Sequence, residues 1–264
     1  MKNLKNLLNL LKSNCKILTS LIECNLMVDN TKIIEELFVA GSHLGHKANR
    51  VHPKTNKFIY SFENGVSIID LSKTADYLEK AKRYVSELGK SKKILLVVCT
   101  KKIASNLTKE LSLKHNLPFI NTKWPAGLLT NFEMIIKNVK KLNSMKEAKS
   151  KGDWSKFVKH EQVKLDRELS KLEKFYGGIA NLKKLPDAIF IIDIKKEKNS
   201  VKESGEMKVI TVAVTDTNAN PDPINYPIPG NDDSITSIEF FMKQILEAYA
   251  SSFLKAGETK VKAK

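Results

Sequence analysis

DTNANPDPINYPIPGNDDSITSI, residues 216–238, is the most informative stretch of the chain. It follows VITVAV, residues 209–214, a continuous apolar run that reads as a buried strand. It then sets four prolines among Asn and Asp before a new amphipathic pattern opens at Ser234. Proline fixes φ and removes a donor, so the segment is expected to be one long, stiff loop, neither helix nor strand. A stiff polar loop at the end of a buried strand is where open α/β sheets place their binding groups.

Working outward, two more apolar runs read as buried strands, residues 94–99 (ILLVVC) and 188–192 (AIFII), with a short strand at 118–120. Helical patterns separate them: a helix capped by Ser72 to about Leu88, another over 101–115, and a closing helix from Ser234 to about Leu254. Strand and helix therefore alternate, which predicts a parallel sheet covered on both faces, a three-layer α/β sandwich. Upstream lies a helix over 31–39, capped by Asn30 or Thr31. The loop GSHLGHKANRVHPKTN follows, then strands at 57–60 and 66–71 about an Asn64-Gly65 turn.

One segment breaks the alternation. Phe132, Ile135, Ile136, Val139, Leu142 and Met145, then Leu165, Leu169, Leu172 and Tyr176, keep a spacing near 3.5 residues, the seam of a coiled coil. Lys151-Gly152-Asp153 reads as the turn between them. An antiparallel coiled-coil hairpin over 128–177 is thus expected within an α/β domain formed by 27–127 and 178–254. Residues 131–176 hold 12 basic and 7 acidic residues, which makes the hairpin's outer face lysine-rich. The basic tail 255–264 is expected to be disordered. Residues 1–26 combine Leu4, Leu7, Leu8 and Leu11 on one helical face with lysines and no acid before Glu23. They read equally as a basic arm, a transit-type presequence, or the product of a start upstream of Met27.

The 264 residues carry 45 Lys plus Arg against 29 Asp plus Glu, a net charge of +16. Such a field attracts polyanions, nucleic acid first and an anionic membrane surface second. Lysine far outnumbers arginine. Flexible point charges favour phosphate contact over base readout. Cys15, Cys24 and Cys99 form no C-x-x-C pair, so a reducing compartment and no zinc site are expected. No apolar stretch reaches the roughly 18 residues of a membrane span.

Three further motifs carry candidate chemistry. GSHLGHK, residues 41–47, places His43 and His46 three apart, with only Glu35 and Glu36 as acids nearby in sequence. A metal centre would need a third ligand at tetrahedral spacing. Its glycines would let the backbone pass close to something bulky, and Lys47, Arg50, Lys54 and Lys57 are placed to meet phosphates. KWPAGLLTNFE, residues 123–133, offers Trp124 either to stack on a base or to anchor the hairpin in the core, with Thr130 or Asn131 capping the next helix. FYGGIANLKKLPDAIFIID, residues 175–193, stops the hairpin at Gly177-Gly178 and re-enters the sheet.

Together these segments resemble the bacterial-type small-subunit ribosomal protein S-two family. Asp216-Thr217-Asn218 and Ile228-Pro229-Gly230-Asn231-Asp232-Asp233 match its Asp-Thr-Asn start and Ile-Pro-Gly-Asn-Asp-Asp close. Residues 41–46 match its Gly-x-His-x-Gly-His run, residues 123–131 its Arg-Trp-x-Gly-Gly-x-Leu-Thr-Asn segment, and residues 177–193 its Gly-Gly-Ile, Leu-Pro-Asp-Ala and apolar-Asp series. The four segments occur in the family's order across most of residues 36–240. The chain departs from the pattern at Val51, where Trp is usual, at Lys123, Pro125 and Ala126, and at 205–208, where a hydrophobic helix-to-strand junction is usual.

The resemblance implies a Rossmann-like α/β domain with a coiled-coil insertion. It implies a structural constituent of the small ribosomal subunit, seated on the solvent side between head and body. Its partners would be small-subunit rRNA, neighbouring small-subunit proteins and the large mRNA-recruiting protein S-one, in a bacterial cytoplasmic ribosome or, alternatively, a mitochondrial or plastid one. The RNA-contacting residues are expected to be His46, Lys47, Asn49, Arg50, Lys54, Lys57, Lys101, Lys102, Lys123 and Trp124. An enzyme reading would use Asp193, Asp216, Asp222, Asp232 and Asp233 to chelate magnesium for phosphoryl chemistry. However, the chain has no phosphate-binding P-loop, no G-x-G-x-x-G and no G-x-S-x-G. No catalytic residue, metal or cofactor is expected.

Overall fold

The structure, a computed structural model, describes residues 31–261 of the 264, with side chains as far as Phe253. The expectations for residues 1–26 and for an Asn30 cap fall outside the described residues. The elements in chain order are α1 (31–39), β1 (Leu44–Lys47), β2 (Ile59–Glu63), β3 (Val66–Ile69), α2 (Leu71–Lys90), β4 (Leu95–Val98), α3 (Ser105–Lys114), β5 (Phe119–Ile120), α4 (Phe132–Ser150), α5 (Lys159–Tyr176), β6 (Ala188–Ile192), α6 (Lys198–Glu206), β7 (Ile210–Thr215), β8 (Tyr226–Pro229) and α7 (Ile235–Val261).

Five of the strands form an all-parallel sheet in the order β5-β4-β6-β7-β8. Every residue of β4 and β6 is buried, as expected for strands covered on both faces. The side-chain period of two divides the sheet cleanly. Leu95, Val97, Phe190, Ile192, Val212 and Val214 face the layer of α1, α2, α3 and α7. Leu96, Val98, Ile189, Ile191 and Ala213 face the 124–129 segment, the start of α4 and α6. The predicted three-layer α/β sandwich is the one observed.

The proline-rich stretch is not one loop. Its Tyr226-Pro-Ile-Pro229 segment is β8, parallel to β7, with Val212 opposite Tyr226 and Thr215 opposite Pro229. Two prolines are tolerated because β8 is the sheet edge, where one side of the strand has no ladder to feed. GSHLGHK likewise contains β1, one of three antiparallel strands in a second, smaller sheet ordered β1-β3-β2. The cap of α2 is Asp70 rather than Ser72: its Oδ1 accepts from the N–H groups of Ser72 (3.1 Å) and Lys73 (3.4 Å). Helix α7 continues to Val261, beyond the end expected near Leu254.

Between β5 and β6 the chain leaves the sheet as α4 and returns as α5. Leu142, Met145, Trp154 and Leu169 form a core of their own, joined by Leu165, Leu172 and Tyr176. Gly152, with φ +76°, makes the turn that β-carbon-bearing residues resist. The hairpin is tied to its base where Asn143 Nδ2 donates to the Ala180 carbonyl (3.3 Å) and Thr122 Oγ1 to the Lys174 carbonyl (2.9 Å). Among the described residues no helix is long and apolar enough to cross a membrane.

Candidate functional site

Parallel strands deliver the residues that follow them to one edge of a sheet. Here β4 delivers Lys101, β6 Asp193, β7 Asp216 to Asn218, and β8 Asn231 to Asp233. The small antiparallel sheet closes over that edge and adds His46 from β1. The Lys101 ammonium donates to Asp232 Oδ1 and to Asp233 Oδ1, both at 2.6 Å, and to the Asp232 carbonyl at 2.6 Å, with Asp193 Oδ2 at 3.5 Å. His46 Nδ1 lies 3.0 Å from Asp216 Oδ2, and its Nε2 lies 2.7 Å from Asn218 Nδ2 and 3.5 Å from Asp233 Oδ2.

Thr217 is the hinge pin of this junction. Its Oγ1 accepts from the His46 N–H (2.9 Å) and its carbonyl from the His52 N–H (2.8 Å) and Thr55 Oγ1 (2.9 Å). Ser67 Oγ donates to the His46 carbonyl at 2.8 Å. A β-carbon at Gly45 would stand 2.5 Å from Ser67 Oγ and 2.8 Å from Thr217 Cγ2. The glycine is therefore a close-approach position, and the bulky neighbour is the chain itself. Asn231 completes the seam: its N–H donates to the Ser42 carbonyl and its Nδ2 to the Gly41 carbonyl.

The electrostatics are those of a compensated cluster. The Asp216 hydrogen bond raises the His46 pKa above its ordinary value, against the effect of burial, and the Asp233 and Asp232 charges add to it. Burial works against the Lys101 charge, but Asp232, Asp233 and Asp193 together raise its pKa. Burial pushes Asp232 up to about 7, with the negative charges of Asp216 and Asp193 adding to the rise. The Lys101 hydrogen bond holds Asp233 below the usual carboxylate range.

The crevice where α/β sheets commonly seat a ligand is thus largely filled by the small sheet. A cavity of about 460 Å³ remains beside His46, with Lys47 and Arg50 on its rim. Ligand atoms of His46, Asp216 and Asp233 lie within 4.8 Å of one another, near enough to hold a metal ion. Of the His43–His46 pair only His46 takes part, with Asp216 and Asp233 supplied by the loops after β7 and β8, while the His43 ring stacks on Phe38. Spacing within 41–47 gave no signal of this; Asp216, at the end of an apolar run, and Asp233 were instead grouped with Asp193, Asp222 and Asp232 in the magnesium reading.

The expected RNA-contacting residues separate into three groups. Lys47, Asn49, Arg50, Lys54, Lys57, Lys102 and Lys123 are exposed. Of these, Lys54 pairs with Asp222, and the Lys57 ammonium sits 5.0 Å from the Phe58 ring centroid. His46 and Lys101 are engaged in the acidic cluster, so their charge is already compensated. Trp124 is 5% exposed, and its Nε1–H donates to Glu203 Oε1 at 2.9 Å. Of its two readings the structure selects the core anchor, because the indole faces are covered by the packing of 124–129 against the sheet. Glu203, which sequence reasoning missed, also accepts from the Gly127 N–H (2.9 Å) and the Leu129 N–H (3.1 Å). Asn131 occupies the α4 cap position without a side-chain capping bond.

The family model described as Ribosomal protein S2 matches residues 37–252. Proteins named small ribosomal subunit protein uS2 are 40% identical over 215 residues in Helicobacter acinonychis, covering 81% of this chain and 87% of that protein, and 40% identical in Helicobacter pylori strain 26695, covering 81% of each. The protein of the same name from Nitratiruptor is 41% identical, covering 81% of this chain and 80% of its own length. The match takes in both sheets, the α4–α5 hairpin and the strand-end cluster, and the chain belongs to the ribosomal protein S2 family.

Proposed function

We propose that the chain is a structural constituent of the small subunit of a bacterial cytoplasmic ribosome, binding small-subunit rRNA through its phosphate backbone. The observation that carries this reading is the family membership of residues 37–252 together with a net charge of +16. Lys47, Asn49, Arg50, Lys54, Lys57, Lys102 and Lys123 are the exposed residues that would make these contacts. Each phosphate neutralised releases counterions, so many weak lysine contacts add to a firm, sequence-independent hold. The role is one of cohesion rather than catalysis: the sheet and the Lys101–aspartate cluster fix the geometry on which the cations are displayed. Neighbouring small-subunit proteins and the mRNA-recruiting protein S-one complete the set of partners. In this reading residues 128–177 act as an arm inserted in the α/β domain.

Sedimentation of a lysate expressing the tagged chain tests this. Co-migration with the small subunit at moderate salt, weakening steeply as salt rises, is the expected result. Migration as a free protein at every salt concentration would overturn the reading.

A further inference from the structure

Helix α5 turns Leu165, Leu169, Leu172 and Tyr176 into the hairpin core and leaves Val163 exposed. At about 100° per residue, Lys164, Arg167, Lys171 and Lys174 all fall within about 40° of the line opposite Leu169, and His160 falls on the same line. All five are exposed. Three of the four acids of α5 are used elsewhere, and Glu161 falls about 100° from the ridge line. Asp166, Glu168 and Glu173 reach across to Lys149, Lys141 and Lys146 of α4. Three of the hairpin's seven carboxylates are thus spent between its own helices. Among the described residues none of the four outward cations has a carboxylate partner. On α4 the corresponding outward face is mixed, with Glu133 and Glu147 among Lys137 and Lys140.

We propose that the ridge Lys164-Arg167-Lys171-Lys174 is a docking surface for the phosphate backbone of structured RNA. This inference rests on the rRNA-binding reading above and assigns it a surface that the strand-end loops do not include. The ridge advances about 1.5 Å per residue, so it presents four cations along roughly 15 Å, a linear array suited to successive phosphates. Protein interfaces take their affinity from buried aromatic and apolar anchors. The ridge line carries charged and polar side chains instead, mostly lysines, which suit phosphate as flexible point charges.

The test compares the full chain with two fourfold variants of equal charge: Lys164→Gln/Arg167→Gln/Lys171→Gln/Lys174→Gln, and the dispersed Lys32→Gln/Lys90→Gln/Lys183→Gln/Lys195→Gln. The probe is naked rRNA purified from bacterial small subunits, titrated over a range of salt. None of the ridge residues lies in the apolar seam, so both variants should melt like the parent. The ridge variant should bind at least about tenfold more weakly, with a log-affinity against log-salt slope shallower by about three, four contacts at roughly 0.7–0.9 each. The dispersed variant should change far less. Equal losses in the two variants would assign the binding to net charge and overturn the ridge while leaving the rRNA reading intact. Unchanged RNA binding by a ridge variant that falls off the subunit in a gradient would overturn it in favour of a protein partner. Failure of the parent chain to bind rRNA at all would overturn both readings.

Discussion

His46 has its folded-state pKa raised above the ordinary 6.5 by Asp216. A group raised in this way contributes stability that is full below the unfolded pKa and is lost as pH rises through the folded one. Asp232, raised from 3.8 to about 7, acts in the same direction, since the folded state holds its proton more tightly. Asp233, held low by Lys101, opposes them by stabilising above its ordinary value. The melting temperature is therefore expected to fall as pH rises from about 4 to about 7, where Asp232 loses the proton the folded state holds, and to go on falling above 6.5 as His46 loses its own; His46→Gln should flatten the part above 6.5. Equal pH profiles for parent and variant would show that the imidazole does not titrate with folding. Glu203 gives a second prediction at this scale. Replacing it with Ala orphans the Trp124, Gly127 and Leu129 donors in a covered site and should cost about 3 kcal/mol or more by urea denaturation. Glu203→Gln, which keeps an acceptor, should cost less.

Element by element, the strand ends and the hairpin base are held by close contacts rather than by area alone. A β-carbon at Gly178 would lie 2.1 Å from the Phe119 carbonyl oxygen and 2.9 Å from its ring, where the hairpin rejoins β5. Gly178→Ala is expected to cost about 1–3 kcal/mol through forced displacement, and limited proteolysis should then cut earlier between α5 and β6. Leu142, fully buried in the hairpin core, should cost about 2–5 kcal/mol as Leu142→Ala. If that core is a separate small cluster, as its membership indicates, proteolysis should open the hairpin before the sheet. Cleavage in the sheet first would refute that order of stability. The hairpin helices were legible because their apolar period is unmistakable. β8 was not, because Pro227 and Pro229 suppress every strand signal except the edge position that makes them tolerable, and edge position is a property of the assembled sheet. β1 was hidden for a related reason: four residues rich in Gly and His pair only because β3 lies alongside.

For the whole molecule, the +16 charge is divided by the fold into two uses. Near the strand ends, Lys101 and His46 are neutralised by aspartates drawn from three loops and hold the two sheets together. Elsewhere, exposed lysines remain for a polyanion. Raising salt should therefore weaken RNA association steeply while changing the melting temperature only slightly, because exposed charges are screened and the part-buried cluster much less so. A melting temperature that collapses with salt in parallel with binding would contradict this division.

Local sequence carried the layer architecture, the strand at Ala188–Ile192, the two helices within residues 132–176 and the family. Each of these rests on local periodicity or on a short ordered motif. Tertiary structure alone decided that Lys101 and His46 are spent internally, that Trp124 is an anchor, that β8 closes the sheet, and which of the hairpin's lysines stay unpaired. These outcomes depend on groups that the fold brings together, 79 positions apart for Trp124 and Glu203 and 131 for Lys101 and Asp232, or on neighbouring strands and opposite helices meeting at hydrogen-bond distance. Composition and spacing carry the number of charges. Only the packed chain determines which of them are already answered.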